Sequence, residues 1–292
     1  MKNIYILILI TFISSSTLAK ASISLSRFET GYNDSPEALI FPSGKLFKTH
    51  RSTHSSFIIS HPKGNLLIDT GLGLKIDEQF EDFIWWLKPF FGFTKEVTIQ
   101  ESLSKHHRSI DSIFLTHLHW DHASGITDFP QAIVFTTKTE REYALETNDS
   151  HGPGYLRNQY DSKSIKWKDL ELRSIKYGPF EQSLDIFSDG SLIAVPLPGH
   201  TPGSLGYILT LRSGRQLFFV GDVIWSVKQL NNLEHKFAIA KCLVDDDPEQ
   251  LLETIKKIAL FKNQRPELQI IPAHDYKHIK SLIPLFPKFI DI

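Results

Sequence analysis

Residues 116–125 read Thr-His-Leu-His-Trp-Asp-His-Ala-Ser-Gly, the feature that most restricts how this chain can fold. Four side chains able to bind a metal lie within six positions: His117, His119, Asp121 and His122. Buried imidazoles and carboxylates need a partner for each polar atom, and so dense a cluster would leave several without one. Histidine and carboxylate are common ligands of zinc and related ions. We therefore predict that the fold holds this cluster rigidly around a metal.

The cluster directly follows a strand-like run at 112–116, Ser-Ile-Phe-Leu-Thr, which is typical of a buried strand. Three other segments with histidine or aspartate also follow such runs. Loops at strand ends are held by a rigid sheet, and functional sites are often built there. These segments are 197–203 around His200 after the run 191–196, Gly221-Asp222 after 216–220, and Ala273-His274-Asp275 after 268–272.

Strand-like and helical patterns alternate along most of the chain. Such a mixture predicts an α/β fold with layered sheets and helices. The 292 residues, 41% of them hydrophobic, can form one domain with a sizeable core. Further strands are predicted at 56–60, 65–69, 132–136 and 204–211, and helices at 78–87, 98–105, 139–146, 248–261 and 278–285.

Charge and cysteine content exclude some classes of function. The formal net charge of −1 gives no electrostatic grip on nucleic acid, so we predict no nucleic-acid partner. The single cysteine, Cys242, precludes an intramolecular disulfide, and its flank shows no nucleophile signature. We predict a buried structural residue there rather than a reactive thiol.

The N-terminus has the layout of a secretory signal peptide. Lys2 precedes an apolar run at 4–13, a polar stretch follows, and Ala19-Lys20-Ala21 forms an A-x-A cleavage site. The alternative is a membrane anchor, but the apolar run is about half the roughly 20 residues that span a bilayer. We predict a signal peptide at 1–21, a hydrolase domain at 22–292, and a secreted or periplasmic location.

Together these segments resemble the metallo-β-lactamase superfamily. The resemblance rests on the His-x-His-x-Asp-His signature at 117–122, the Pro-Gly-His-Thr-x-Gly loop at His200, the Gly-Asp step at Asp222 and the late His274. The run Ile68-Asp69-Thr70-Gly71 also matches an early motif of that superfamily, and the order of the motifs is the same. The resemblance implies a four-layer αβ/βα sandwich with two metals at one edge.

By this resemblance the site holds two divalent ions, most readily Zn²⁺. It implies that a hydroxide shared by the metals attacks an acyl carbon, and that Asp121 or Asp222 carries a proton to the leaving group. Asp69 is predicted either to orient a ligand histidine or to stabilise its own turn. The implied ligands are His117, His119 and His200 for one ion, Asp121, His122 and His274 for the other, and Asp222 as the bridge.

Two features select a branch of the superfamily. A bridging aspartate at Asp222 resembles glyoxalase II-like thioesterases and N-acyl homoserine lactone lactonases, and true β-lactamases with the same signature lack it. About 18 residues follow His274, too few for the glutathione-binding helical domain of glyoxalase II. We therefore expect a lactonase-like hydrolase. Familiar lactonases place a tyrosine three residues after the bridging aspartate, where this chain has Trp225.

Seven of the fourteen residues at 80–93 are aromatic. With Trp85 and Trp86 among them, and with Trp120 and Trp225, they could form an apolar wall for a hydrophobic small-molecule substrate. The alternatives are a homodimer contact, a loop touching a membrane, or a helix packed on the sandwich.

Other functions on the same scaffold remain open. They are a β-lactamase, an organophosphate hydrolase, a mononuclear iron persulfide dioxygenase, or a metal-binding protein without activity. The remaining histidines, His54 among them, match no motif and are predicted to be surface or singly hydrogen-bonded residues.

Overall fold

The computed structural model describes residues 23–146 and 154–290. The predicted signal peptide at 1–21 lies outside these residues. Among the described residues, no helix has the length and apolar character needed to cross a membrane.

The strands form two mixed sheets. The first has the order β4-β1-β2-β3-β5-β6-β7, with antiparallel pairs around β1 and β2 and parallel pairs from β3 to β7. Its strands are β1 (Ser24–Pro36), β2 (Thr49–His61), β3 (Gly64–Ile68), β4 (Thr94–Lys95), β5 (Ser112–Phe114), β6 (Ile133–Thr136) and β7 (Lys166–Asp169).

The second sheet has the order β12-β11-β10-β9-β8. Its pairs are antiparallel except for β11 and β12, which run parallel. Its strands are β8 (Leu184–Asp185), β9 (Leu192–Pro196), β10 (Leu205–Thr210), β11 (Gln216–Gly221) and β12 (Gln269–Pro272).

Eight α-helices and four 3₁₀ helices are found in the described part of the chain. The longest, α7, begins where the Asp247 side chain accepts the Gln250 N–H and Pro248 occupies the first turn. The α-helices are α1 (Ile76–Gln79), α2 (Ile99–Lys105), α3 (Trp120–Ala123), α4 (Lys138–Glu146), α5 (Gln229–Asn232), α6 (Ala238–Val244), α7 (Pro248–Gln264) and α8 (Tyr276–Leu282). The 3₁₀ helices are Glu37–Leu39, Phe80–Asp82, Ile126–Asp128 and Arg157–Gln159.

Side-chain alternation in the strands divides the core into layers. Phe57 and Ile59 of β2 point between the sheets, where they join Phe219 of β11, whereas Ile58 points to the outer face. Apolar residues of α2 and α4 cover that outer face, and the apolar side of α7 covers the second sheet. The predicted four-layer αβ/βα sandwich is therefore confirmed.

Two local predictions are wrong, and one long strand was not predicted. The predicted helix at 78–87 is only the short α1 and the 3₁₀ turn Phe80–Asp82, because the aromatic rings that follow pack around the buried Trp120. Strand β1 was not predicted, because polar residues interrupt its alternation. Cys242 is exposed, not buried, on α6.

Candidate metal centre

The predicted metal-binding residues meet at one edge of the sandwich. His117 and His119 lie just beyond β5, His200 beyond β9, and Asp222 and His274 directly after β11 and β12. All of them are buried. These side chains come together because each of the strands ends at this edge, so that the loops that follow them lie side by side.

His117, His119 and His200 form one set of ligand atoms. Each offers one atom within 4.8 Å of the other two. The ring centroids of His117 and His200 are 4.8 Å apart, and those of His119 and His200 are 4.6 Å apart. Three imidazoles so close together, with no carboxylate in the set, match a neutral three-histidine site for zinc.

Asp121, His122, Asp222 and His274 form the second set. Asp222 Oδ1 lies 3.2 Å from His122 Nε2 and 3.0 Å from His274 Nε2. Asp121 Oδ2 lies 3.3 Å from His274 Nε2. Asp222 also lies beside the first set, with Oδ2 3.8 Å from His200 Nε2. Its carboxylate therefore stands between the two sets, as a bridging ligand would.

His54 joins this centre although no motif predicted it. It extends from β2, and its Nδ1 lies 3.0 Å from Asp121 Oδ2. His54, Asp121 and His274 offer ligand atoms within 4.8 Å of one another. The His54 ring is singly hydrogen-bonded, as predicted, but it is buried beside the metal ligands, a position that the sequence analysis did not identify. Only its run of buried strand residues could have indicated that the side chain is enclosed.

Asp69 fixes the start of the histidine cluster. Its Oδ1 accepts the Thr116 backbone N–H at 2.7 Å, and its Oδ2 accepts the Thr116 hydroxyl at 2.8 Å. Asp69 Oδ2 also lies 2.9 Å from His122 Nδ1, and Asp69 itself adopts a left-handed φ of 56°. The two predicted roles of Asp69 are thus both present: it anchors the loop and orients a ligand histidine.

Backbone positions hold two other ligand imidazoles. His274 Nδ1 donates to the Thr53 carbonyl at 2.7 Å, which leaves Nε2 for the centre. His119 lies against Gly154, where an added Cβ would come within 2.4 Å of its Nε2. Only glycine leaves room for that ring.

His200 is held by a buried ion pair. Its Nδ1 lies 2.7 Å from Asp245 Oδ1, and Lys236 Nζ lies 2.5 Å from the same oxygen. Burial opposes ionisation of Asp245, but the Lys236 charge and the His200 hydrogen bond outweigh it and lower the pKa of the carboxyl. Neither Lys236 nor Asp245 was predicted from the sequence.

Unpaired polar atoms indicate that the centre fits metal ions. The Nε2 atoms of His117, His122 and His200 and the Oδ1 atom of Asp222 are buried, and none makes a hydrogen bond within the described residues. Native proteins rarely leave such groups without partners. Nitrogen and carboxylate donors that converge in this way are the ligands that divalent zinc binds. The residues present therefore fit a metal centre.

The electrostatics of the two sets differ. Burial and the neighbouring imidazoles hold the pKa of His117 and that of His119 well below the usual histidine value, so both rings are neutral. Burial also opposes the charging of His122 and His274, but the surrounding carboxylates raise the pKa of each ring above its usual value. The carboxylates of the second set thus favour positive charge beside them, which a bound cation would supply.

A cavity of about 490 Å³ opens above the centre. His119, Asp121, Asp222 and His274 line its floor. Apolar walls come from the 3₁₀ turn near Leu39, the segment 86–91 and α6. An apolar cavity with a few polar groups at its base is typical of a small-molecule site.

The four predicted substrate-binding tryptophans lie in different places. Trp120 is buried and lines the cavity, and Trp225 lines it beside the metal centre. Trp86 lines the cavity while 53% exposed. Trp85 is 81% exposed and is not among the lining residues. Adjacent residues in this segment of turns point in different directions, so only one of the pair faces the cavity.

Trp225 occupies the position of the lactonase tyrosine and makes a different contact. Its indole Nε1–H donates to Asp222 Oδ2 at 2.9 Å. The side chain therefore holds the bridging carboxylate and forms part of the cavity wall. The Tyr155 ring lies near the centre, with its centroid 4.6 Å from that of His119, and its hydroxyl donates to buried Glu140 at 3.2 Å.

Comparisons with known proteins agree with this geometry. A family model described as the Metallo-beta-lactamase superfamily matches residues 50–274. The N-acyl homoserine lactonase AttM of Azorhizobium caulinodans is 25% identical over 227 residues, which cover 75% of this chain and 80% of that protein.

Solved structures share the fold. An N-acyl homoserine lactone hydrolase with the product N-hexanoyl-L-homoserine at its catalytic metal centre superposes with a TM-score of 0.70 at 18% identity, covering 91% of this chain and 98% of that chain. AidC, a dizinc quorum-quenching lactonase, superposes with a TM-score of 0.60 at 18% identity, covering 92% and 94%.

Proposed function

This chain belongs to the metallo-beta-lactamase superfamily, and from that premise we propose that it is a dinuclear metal-dependent hydrolase of lactones or related esters with a hydrophobic part. The observation that carries the proposal is the pair of ligand sets joined by Asp222 beneath an apolar cavity. The relatives and structural neighbours that are lactonases support the same reaction class.

The residues that would hold the ions follow from the two sets. His117, His119 and His200 would hold one divalent ion, and Asp121, His122 and His274 would hold the other. Asp222 would contact both, because its Oδ1 lies beside His122 and its Oδ2 lies between His274 of the second set and His200 of the first. When bound, two such ions polarise a carbonyl oxygen and supply a hydroxide nucleophile near neutral pH.

A carboxylate side chain of this protein would carry the proton from the attacking hydroxide to the leaving group. Asp222 Oδ2 is already held by the Trp225 indole N–H and by His274 Nε2 at 3.0 Å. Asp121 lines the cavity, and its Oδ2 accepts a hydrogen bond from His54. Its Oδ1 is therefore better placed than Asp222 to carry a proton to the leaving alkoxide. The attacking hydroxide would supply this proton, and its transfer to the alkoxide as the ring C–O bond breaks would leave a carboxylate and an alcohol.

The cavity walls would select the substrate. Trp120 forms the wall nearest the metal centre, and its ring centroid lies 4.9 Å from that of Phe80 and 5.5 Å from that of Phe93. Farther out, Trp86, Phe90 and Leu243 continue the apolar surface. An acyl chain or hydrophobic ring laid along this surface would be removed from water, which favours binding.

A substrate panel tests the proposal. Metal-loaded protein is given an N-acyl homoserine lactone, an aryl ester, a β-lactam and an aryl phosphotriester. We expect the highest kcat/KM for the lactone or ester. A preference for the β-lactam or phosphotriester, or an iron-dependent oxygen uptake with a persulfide, would reject this assignment in favour of the corresponding alternative.

We also propose that the chain is exported, since residues 1–21 have the layout of a signal peptide. Fractionation of cells that express the full chain, with N-terminal sequencing of the product, tests this. A mature N-terminus at residue 22 outside the cytoplasm is expected, and an uncleaved cytoplasmic product would contradict it.

A further inference from the structure

A lysine ammonium is buried behind the metal centre. Lys236 is 1% exposed and precedes α6. Its Nζ lies 2.5 Å from Asp245 Oδ1 and 3.3 Å from His200 Nδ1. A fully buried lysine is uncommon and costs much hydration energy, so its position calls for an explanation.

The ion pair fixes the tautomer of His200. Asp245 Oδ1 is an acceptor and lies 2.7 Å from His200 Nδ1, so we assign the ring hydrogen to Nδ1. The lone pair is then on Nε2, which is buried and has no hydrogen bond among the described residues. Nε2 is also the atom that the first ligand set requires.

The same ammonium also reaches the bridging carboxylate through an aromatic ring. Lys236 Nζ lies 5.3 Å from the centroid of the Trp225 ring, within the range of a cation–π contact. That ring donates its Nε1–H to Asp222 Oδ2 at 2.9 Å. Lys236 therefore contacts the ring of Trp225, and that same ring donates a hydrogen bond to Asp222.

We infer that Lys236 is a positioning residue, which holds His200 through Asp245. The inference rests on the proposed dinuclear function. Its physical basis is geometric: Lys236 Nζ donates to the same Asp245 oxygen that faces His200 Nδ1, so the ammonium fixes where that carboxylate lies and how the ring is turned. Without the ammonium, the buried Asp245 carboxylate would have no opposite charge beside it and would turn toward water, away from His200.

Charge-removing substitutions test this role. Lys236→Met removes the cation, and Asp245→Asn removes the matching anion while keeping an oxygen that accepts from His200. The double variant is therefore neutral and still able to hold the ring. Lys176→Met, which breaks an exposed pair with Glu181, is the matched control. Chelator competition measures the affinity for each of two Zn²⁺ ions, and circular dichroism measures folding.

We expect Lys236→Met to weaken the affinity for the first Zn²⁺ ion by about 10- to 100-fold. This is the usual effect of losing an outer partner of a ligand histidine. The double variant should return to within about threefold of the wild type, and the control should match the wild type. Unchanged affinity in Lys236→Met, or no recovery in the double variant, would overturn the inference. If Lys236→Met does not fold, the double variant alone decides. A wild-type chain that binds no divalent ion would instead reject the proposed function.

Discussion

His54 offers the sharpest test of how the second ligand set is held. The pKa of His54 is lowered, chiefly by burial, so the ring is neutral, and its Nδ1–H donates to Asp121 Oδ2 at 3.0 Å. Asparagine carries its amide nitrogen near the position of Nδ1, whereas glutamine carries it near Nε2. His54→Asn should therefore keep the hydrogen bond to Asp121, and His54→Gln should lose it.

The size of the effect follows from the type of bond. A hydrogen bond to a charged group contributes about 1.5–3 kcal/mol. At about 1.4 kcal/mol for each factor of ten, its loss corresponds to roughly 10- to 150-fold. We expect this weakening in the affinity of the second Zn²⁺ ion, because Asp121 is oriented by His54 and belongs to that set. The affinity for the first ion should change little, because His54 lies with Asp121 and His274 and not with the three histidines that would hold that ion.

Chelator competition on both variants gives the two affinities, and thermal unfolding of the metal-free proteins controls for folding. His54→Asn is expected to bind both ions within a few-fold of the wild type. If His54→Asn loses the second ion as completely as His54→Gln, then His54 binds metal directly and the orienting role is refuted. If neither variant weakens it, His54 does not support the centre.

Three further predictions concern the cavity, the bridging carboxylate and pH. Trp86→Ala should raise KM about fivefold for long-chain lactones and little for short-chain ones, since about half of this side chain is buried, whereas Trp85→Ala should leave both unchanged. Trp225→Phe removes the indole donor to the bridging carboxylate and should lower kcat about tenfold in steady-state assays while sparing the apolar wall. Burial alone would raise the pKa of Glu37, but two lysine ammonium groups lower it to about 2, so its ionised form stabilises the fold at neutral pH. That contribution is lost as pH falls from about 4.5 to about 2, and Glu37→Gln should lower the free energy of unfolding by about 1 kcal/mol at pH 7 but not at pH 2 in urea titrations.

The ligand sets could be predicted because their residues sit in short motifs directly after strands. His117, His200, Asp222 and His274 each follow a run whose apolar pattern identifies a strand. Strands that end at one edge bring their loops together, and the resemblance to the superfamily implied that these strands share such an edge. The layered sandwich followed from the same patterns of strand and helix.

The supporting residues could not be predicted because they depend on tertiary contacts. His54 lies 67 positions from Asp121, and only the pairing of β2 in the sheet brings them together. Lys236 and Asp245 would be assigned to the surface from their polarity, yet the chain around α6 folds both behind His200. The direction of Trp86 into the cavity and of Trp85 away from it depends on an aromatic cluster whose packing replaces the predicted helix.

The most direct measurement is the Zn²⁺ dependence of lactone hydrolysis. Protein freed of metal with a chelator is titrated with Zn²⁺, and bound metal and ring-opened product are measured in the same samples. We predict no hydrolysis without metal, and full activity only as the second equivalent binds. Undiminished hydrolysis by the metal-free chain, or saturation of both metal content and activity at one ion per chain, would contradict the two-metal centre.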